Sequence, residues 1–374
     1  MVGTSETQAM LAQSIEQLVS RQPSAQMLSE GKRKPDLWPL LVELGLPAAE
    51  LSADLGGLEL AFADMAPAFR QIGQALATTY LAEFVIMGGW VVTASQTPLA
   101  LDFAARLASG EARVALAFGE HGDGGDITFT RTSAVQAGEN WQIDGTKAVV
   151  VGGDRATHLI VPAMIAPSAS DSRDELGLFL VPTASIGLTS HIFELYDGSF
   201  AADFALRGVN IPADALLARG SKALDLFELA LDRGRAALCH EAVGLIEKVN
   251  EITLNYVKTR QQFGQPIGTF QTMQHRMADM HMDLELAHSC AELATAAIAM
   301  GGTTRERMRT ISAAMASICD CACRIGQSAV QAHGGIALTR EYSVGHYFKR
   351  LALVERYLGN AAFHLERYIA QARA

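Results

Sequence analysis

Charge is scarce in this chain. Only 19% of the 374 residues are Asp, Glu, Lys or Arg, and the formal net charge is −10. That balance argues against a nucleic-acid partner, whose phosphates need a basic surface. It leaves room for a phosphorylated small molecule at a local basic site. Long apolar runs are lacking too, and nothing approaches the roughly 18 uninterrupted apolar residues of a membrane span. The N-terminus, MVGTSETQAMLAQSIEQLVSRQP, reads as a polar amphipathic helix. It has neither the charged start nor the apolar run of a signal peptide, so a soluble cytoplasmic protein is expected. Cysteines number five. Cys319, Cys321 and Cys323 form a C-x-C-x-C run, but residues two apart on a helix do not share a face. Three such ligands cannot converge on a metal, so these are expected to be buried structural thiols.

What the chain does have is apolar content, 49%, enough for a large core divided into two or three domains. Residues 1–112 alternate helical segments with short Gly/Pro breaks: LWPLLVELGL, then FADMAPAFRQIGQALATTYLAEFVIMGGWVV, then PLALDFAARLASG. From Arg113 the period becomes two-fold, and VALAF, ITFTRTSAV, NWQIDG, KAVVV, HLIVPAMI, LGLFLVP and DFALRGVNIP read as strands. Asp144-Gly145 has hairpin-turn chemistry, and Gly152-Gly153 marks another break. After Gly220 the helical period returns, with Ala242, Leu245, Val249, Ile252 and Tyr256 on one apolar stripe. Thr303 and Glu306 have capping-box spacing. The expected organisation is a helical domain (1–112), a middle β domain (113–218) and a C-terminal domain (219–374) of four long helices in an antiparallel bundle. The Ala/Met/Leu-rich stretch from Met280 to Met300 leaves apolar surface for subunit packing.

The segment RQQFGQPIGTFQ, Arg260 to Gln271, stands at a joint between two long helical patterns. The first ends near Gly264-Gln265-Pro266, and Thr269 is a candidate N-cap for the second. Arg260 offers a planar fork of donors suited to a phosphate, and Phe263 offers a ring face. By chemistry alone a structural Arg–carboxylate pair is an equal reading.

As a pattern, this segment resembles the flavin-binding signature of the acyl-CoA dehydrogenase family. The resemblance extends over nearly the whole chain, through LGGLEL, AFRQIGQALA, ALAFGEHGDGGD, IDGTKAVVVGG, RQQFGQPIGTFQTMQHRMADM and QAHGGIALTREYSV. It implies a mainly α fold with a central β domain, and a cofactor, FAD, whose adenine diphosphate end crosses into a neighbouring subunit. The residues implied to hold that end are Arg260, Phe263, Gln271 and the segment Gln331 to Gly335. Gly334-Gly335 lets backbone N–H groups approach a pyrophosphate closely. The implied chemistry introduces a double bond between the α and β carbons of an acyl-CoA thioester, with a carboxylate taking the α proton. Electron-transfer flavoprotein is the implied acceptor, and Asp232 and Arg235 match residues lining the acyl-CoA pocket.

The departures from the family pattern bear on catalysis. The glutamate base normally follows a tyrosine soon after the second C-terminal motif; here the text is Tyr357-Leu358-Gly359-Asn360. Other members carry it on the helix before Arg260, at the position of Gly234. Neither side chain accepts a proton, and loss of a general base costs about 10²–10⁴ in rate. Ring-contact positions are changed as well: Gly119 stands for a threonine, Gly125 for a serine, Val149 for a tryptophan and Val151 for a threonine.

A chain that keeps the face for a neighbour's cofactor while losing its own base resembles the non-catalytic partner in heteromeric dehydrogenases, such as bacterial enzymes for steroid side-chain CoA thioesters. The expectation is a heterotetramer with a homologous catalytic subunit. Two alternatives remain: an active homo-oligomer with a base relocated to Asp232, Glu228 or Glu241, and a scaffold without cofactor. His240, His275 and His333 carry packing roles as readily as chemistry.

Overall fold

The computed structural model describes residues 6–21, 23–122, 130–165, 175–300 and 303–373. Helices α1 (Glu6–Ser20), α2 (Ser24–Ser29), α3 (Trp38–Glu43) and α4 (Phe62–Gln74) come first. They are followed by a π-helical segment, Ala82–Gly89, and by α5 (Trp90–Ser95) and α6 (Pro98–Ala108). The run that reads as one helix from Phe62 to Val92 is therefore broken. Leu76 and Tyr80 take positive φ, which no helix interior tolerates.

Strands β1 (Val114–Leu116), β2 (Ser133–Ala137), β3 (Asn140–Val151), β4 (His158–Ile165), β5 (Glu175–Pro182), β6 (Leu188–Glu194), β7 (Phe200–Pro212) and β8 (Leu216–Arg219) form one sheet. Its order is β6-β7-β3-β2-β4-β5-β8, with β1 added parallel to β4. β6 and β8 have no sequence counterpart in the alternation: β6 is largely exposed, and β8 is only four residues long. One turn is misplaced by the sequence. Asp144-Gly145 lies inside β3 at a register shift, not in a hairpin. The β2–β3 reversal sits at Gly138-Glu139 instead. Asp144 serves the sheet by accepting the Gly208 N–H at 2.6 Å. At Gly145 the constraint is space, because a Cβ would lie 2.7 Å from Thr132 Cα.

Helices α7 (Gly220–Thr259), α8 (Gln271–Ala299) and α9 (Thr304–His333) are the long helices of the C-terminal bundle. Its fourth position holds two shorter ones, α10 (Val344–Val354) and α11 (Ala361–Arg373). The break between them falls at Leu358-Gly359, both at positive φ. His240 opposite Thr295 and Asn250 opposite Met280 set α7 antiparallel to α8. Asp232 opposite Arg307 and Tyr256 opposite His333 set α7 parallel to α9. The Thr303–Glu306 capping box opens α9 as its spacing predicts. Thr269 does not cap α8. It lies in a 3-10 turn, Ile267–Thr269, where its hydroxyl donates to Pro266 O at 2.7 Å. Before that turn the chain makes a small hairpin, Gln261–Gln262 against Gln265–Pro266.

The middle of α7 is the centre of the molecule, with every residue from Ala230 to Ile246 buried. It crosses α4 in backbone contact: a Cβ on Gly73 would lie 2.0 Å from Glu241 O. Cys319 and Cys321 are buried and Cys323 partly so. No helix among the described residues is long and apolar enough to cross a membrane.

Candidate functional site

Gly234 sits in the fully buried stretch of α7. A Cβ built there would lie 2.4 Å from Met87 Sδ and 3.1 Å from Leu358 Cδ1. The two positions at which the sequence resemblance places a base, Gly234 and Leu358, therefore converge from distant parts of the chain. The space between them is filled by two apolar side chains, Met87 and Leu358, exposed 1% and 2%. Leu358 holds φ +61°, a conformation costing a non-glycine residue roughly 1–3 kcal/mol. Its carbonyl accepts from Arg235 Nε at 3.1 Å, which ties the strained segment to α7.

Below that bond lies a closed ion cluster. Asp232 accepts from Arg235 at 2.7 Å and Arg307 at 3.1 Å and pairs with Arg367 at 2.9 Å, while Arg367 donates to Glu228 at 2.8 Å. The Asp232 and Arg235 side chains have no exposed surface, so in this arrangement neither offers an atom to a ligand. Burial, with the like charge of Arg367, lowers Arg235 to about 10. Three guanidiniums face two carboxylates here, and Nη2 of both Arg235 and Arg307 lacks a partner.

Glu241, two turns along α7, is gripped by Arg350 through two bonds of 2.7 and 2.9 Å. Arg350 also reaches Asp197 at 3.2 Å, and Lys34 lies 3.9 Å from Asp197. Two of the three acids suggested as relocated bases on α7, Asp232 and Glu241, are thus occupied by arginines. Glu228 likewise holds Arg367. A buried carboxyl that the sequence does not single out lies beside them. Among the described residues Glu83, on the π-helical segment, takes part in no ion pair, and burial pushes it up to about 7. Tyr357, the residue before Leu358, lies near enough to interact with Glu83, and Arg350 partly offsets the effect of its burial. Glu83, Glu241, Arg350, Val151 and Ser199 line a cavity of about 20 Å³, room for one water.

The ring-contact positions are tightly built. Gly119 O accepts from Ala148 N at 2.8 Å, and a Cβ on Gly119 would lie 2.9 Å from Ala148 O. Val149 is half exposed at φ +51°, its N–H bonded to Asp203 at 2.8 Å. Val151 is buried against the small cavity. Gly125 lies outside the described residues.

At the C-terminal ends of the parallel helices α7 and α9 the character changes. Tyr256 of α7 stacks on His333 of α9, 4.3 Å between centroids, and Tyr342 closes the cluster. This clasp ties together the helix ends that lead into the Arg260 hairpin on one side and Gly334-Gly335 on the other. Arg260, Gln271, Gln331, Gly334 and Gly335 are all exposed, and Phe263 is exposed at 92%. Arg260 enters no ion pair among the described residues. Gly334 turns at φ +67°, and nothing lies within 4 Å of a Cβ placed on it or on Gly335. His333 Nδ1 faces Ala329 O at 2.8 Å, while its buried Nε2 has no partner. His240 packs at 2.6 Å from Thr295, and His275 is on the surface.

Comparison with known proteins places this architecture. Residues 224–372 match the family model described as acyl-CoA dehydrogenase, C-terminal domain. The probable acyl-CoA dehydrogenase YngJ of Bacillus subtilis is 30% identical over 338 residues, covering 87% of this chain and 86% of that protein. The chain belongs to the acyl-CoA dehydrogenase family. Among solved structures, a variant of the steroid acyl-CoA dehydrogenase Tcur3481-Tcur3483 superposes with a TM-score of 0.86 at 26% identity, covering 99% of each chain. The ChsE4-ChsE5 complex of Mycobacterium tuberculosis gives 0.86 at 21% identity, covering 99% of this chain and 98% of that one, a likeness of fold.

Acyl-CoA dehydrogenases are FAD enzymes, and this chain fits the cofactor unevenly. The open backbone at Gly334-Gly335, Arg260 without an ion pair among the described residues, the exposed Phe263 ring packed edge-on against Phe270, and the orphaned His333 Nε2 suit the diphosphate and adenosine end. Around the ring positions Gly119 has no room for a side chain, and Val149 and Val151 carry no hydrogen-bonding group. Met87 and Glu83 are the residues that sequence reasoning missed. Neither belongs to a motif, and only the fold carries them to Gly234 and Tyr357.

Proposed function

We propose that this chain is the base-less subunit of an FAD-dependent acyl-CoA dehydrogenase assembly, and that it completes the cofactor site of a homologous catalytic subunit. The observation that carries the reading is the meeting of Gly234 with Leu358, with Met87 packed into the space a base would need. Arg260, Phe263, Gln271, Gln331, Gly334 and Gly335 would hold the diphosphate and adenosine end of a flavin whose ring lies in the partner. The cofactor, when bound, supplies the hydride-accepting chemistry. This chain's part is positioning. The Arg260 fork neutralises phosphate charge, the Gly334-Gly335 backbone donates N–H groups, and Phe263 covers the purine end from water.

The likeness to a steroid acyl-CoA dehydrogenase pair supports a heteromer acting on a bulky, steroid-type acyl-CoA in lipid breakdown, with electron-transfer flavoprotein as acceptor. Three domains, 1–112, 113–218 and 219–374, are assigned on the same reading. An active homo-oligomer is disfavoured by the arginines that occupy Asp232, Glu228 and Glu241. The test is the chain purified alone and offered FAD and a panel of acyl-CoA thioesters. The expected result is no thioester oxidation and little retained flavin. One FAD per chain with turnover would overturn the proposal.

A further inference from the structure

A cleft of about 260 Å³ opens between the α2–α3 connection, the β3–β4 turn and the β6–β7 hairpin. None of the residues lining it belongs to the Gly234 packing or to the Arg260 face. A cavity of about 150 Å³ holds a benzene ring, so this one has room for roughly ten non-hydrogen atoms. Tyr80 Oη accepts the Phe200 N–H at 3.0 Å, which ties two of its sides together, so the cleft is preformed.

The charges that line it fall into two groups with opposite surpluses. In the first, Asp36 and Asp154 share a single cation, Arg155. Asp154 Oδ1 is buried and has no partner, so it lacks a donor. In the second the surplus is positive. Arg33 lies over the Phe200 ring, 5.3 Å from its centroid, and enters no ion pair or hydrogen bond among the described residues. The Lys34 side chain is almost wholly buried, and the Asp197 carboxylate is 3.9 Å from it, beyond hydrogen-bond length. That carboxylate is already taken by Ser199 and Arg350.

We propose that this cleft binds a small zwitterion, a free amino acid, with its carboxylate on Arg33 and Lys34, its ammonium on Asp154 and its carbon skeleton against Phe200. Each end of such a ligand supplies what one group lacks. The carboxylate gives the Arg33 fork and the Lys34 ammonium an acceptor. The ammonium gives Asp154 Oδ1 a donor and adds the missing cation. A plain carboxylic acid leaves Asp154 Oδ1 unanswered, and a plain amine meets Arg33 and Lys34 as like charges. The titration of the two buried groups agrees with this. Burial lowers Lys34 to about 8 and raises Asp154, and a zwitterion in place opposes both shifts.

The test is thermal unfolding of the full chain with each of the common amino acids and a series of short ω-amino acids. Carboxylic acids and amines of matched length serve as controls. At least one zwitterion should raise the midpoint saturably, because a ligand that binds only the folded chain stabilises it. Calorimetric titration of that zwitterion then gives a Kd. Arg33→Gln and Asp154→Asn should each raise it about tenfold or more, and the matched acid and amine should bind weaker by about the same factor. The absence of a saturable shift from every zwitterion would overturn the proposal. So would a Kd indifferent to Arg33→Gln, or a matched acid that binds as tightly as the zwitterion. Arg33 is exposed and without an ion pair, so Arg33→Gln keeps the fold and decides the matter even where Asp154→Asn does not fold. None of these outcomes depends on whether the chain pairs with a catalytic subunit.

Discussion

The middle of α7 and its C-terminal end belong to one helix and have opposite physical character. Around Gly234 every neighbour is buried, the space for a side chain is taken by Met87 and Leu358, and each nearby acid but Glu83 is held by an arginine. Around Arg260 the side chains are exposed and a guanidinium, an aromatic ring and two glycines face solvent. A sealed centre stabilises the fold whether or not anything binds. An exposed arginine and phenylalanine contribute little to folding, and their grouping with open glycine backbone is what a ligand needs. The contrast teaches that the two places are built differently: the centre is built for stability, and the far end, on the function proposed above, for recognition.

The strongest way to break that contrast is to disturb the centre. Asp232→Ala leaves Arg235, Arg307 and Arg367 without their shared carboxylate, and removing one partner of a buried ion cluster destabilises by about 3–5 kcal/mol. A urea unfolding curve reads it, and a loss below about 1 kcal/mol would mean that the cluster is not closed in solution. Gly234→Ala comes next. The added methyl overlaps Met87 Sδ, and overpacking of this kind costs about 1–3 kcal/mol. Met87→Ala in the same chain should recover part of that loss, because the methyl then occupies vacated space. Simple additivity of the two substitutions would place Met87 somewhere other than against Gly234.

At the far end the expected effect on stability is small and the effect on binding is not. Arg260→Ala should change unfolding free energy by no more than about 0.5 kcal/mol. In the assembled complex the same substitution should weaken flavin retention about tenfold or more, the value of a charge-assisted hydrogen bond. A stability loss with unchanged flavin content would reverse the roles assigned to the two regions. The smallest effect is Thr303→Ala, which removes the cap of α9 and touches neither the Gly234 packing nor the Arg260 face. It should cost about 1 kcal/mol in thermal unfolding without altering flavin content.

How far the chain could be understood from its sequence differs between these regions. The Arg260 face is written in contiguous text, RQQFGQPIGTFQ and QAHGG, and the parallel run of α7 and α9 brings the two stretches together. The packing at Gly234 is not contiguous in sequence. Gly234 and Leu358 announce an absence, but what fills it comes from Met87, on a segment with no motif, and Glu83 is an unremarked acid in an apolar run. Local chemistry misled at Asp144-Gly145, where a good turn dipeptide serves a strand irregularity because Asp144 is needed by Gly208 and Thr132 leaves no room for a Cβ. Thr269 misled similarly, since its hydroxyl is used by a 3-10 turn. Strand β6 escaped because an edge strand exposed along most of its length carries no alternation of burial.

The central claim is that this chain lends a cofactor face to another subunit and uses no flavin of its own. The most direct measurement is the flavin content, per subunit, of the complex purified after co-expression with a homologous catalytic chain. The account predicts fewer flavins than subunits, with FAD lost when Arg260 of this chain is replaced. A full complement of one FAD for every subunit, indifferent to Arg260, would contradict it.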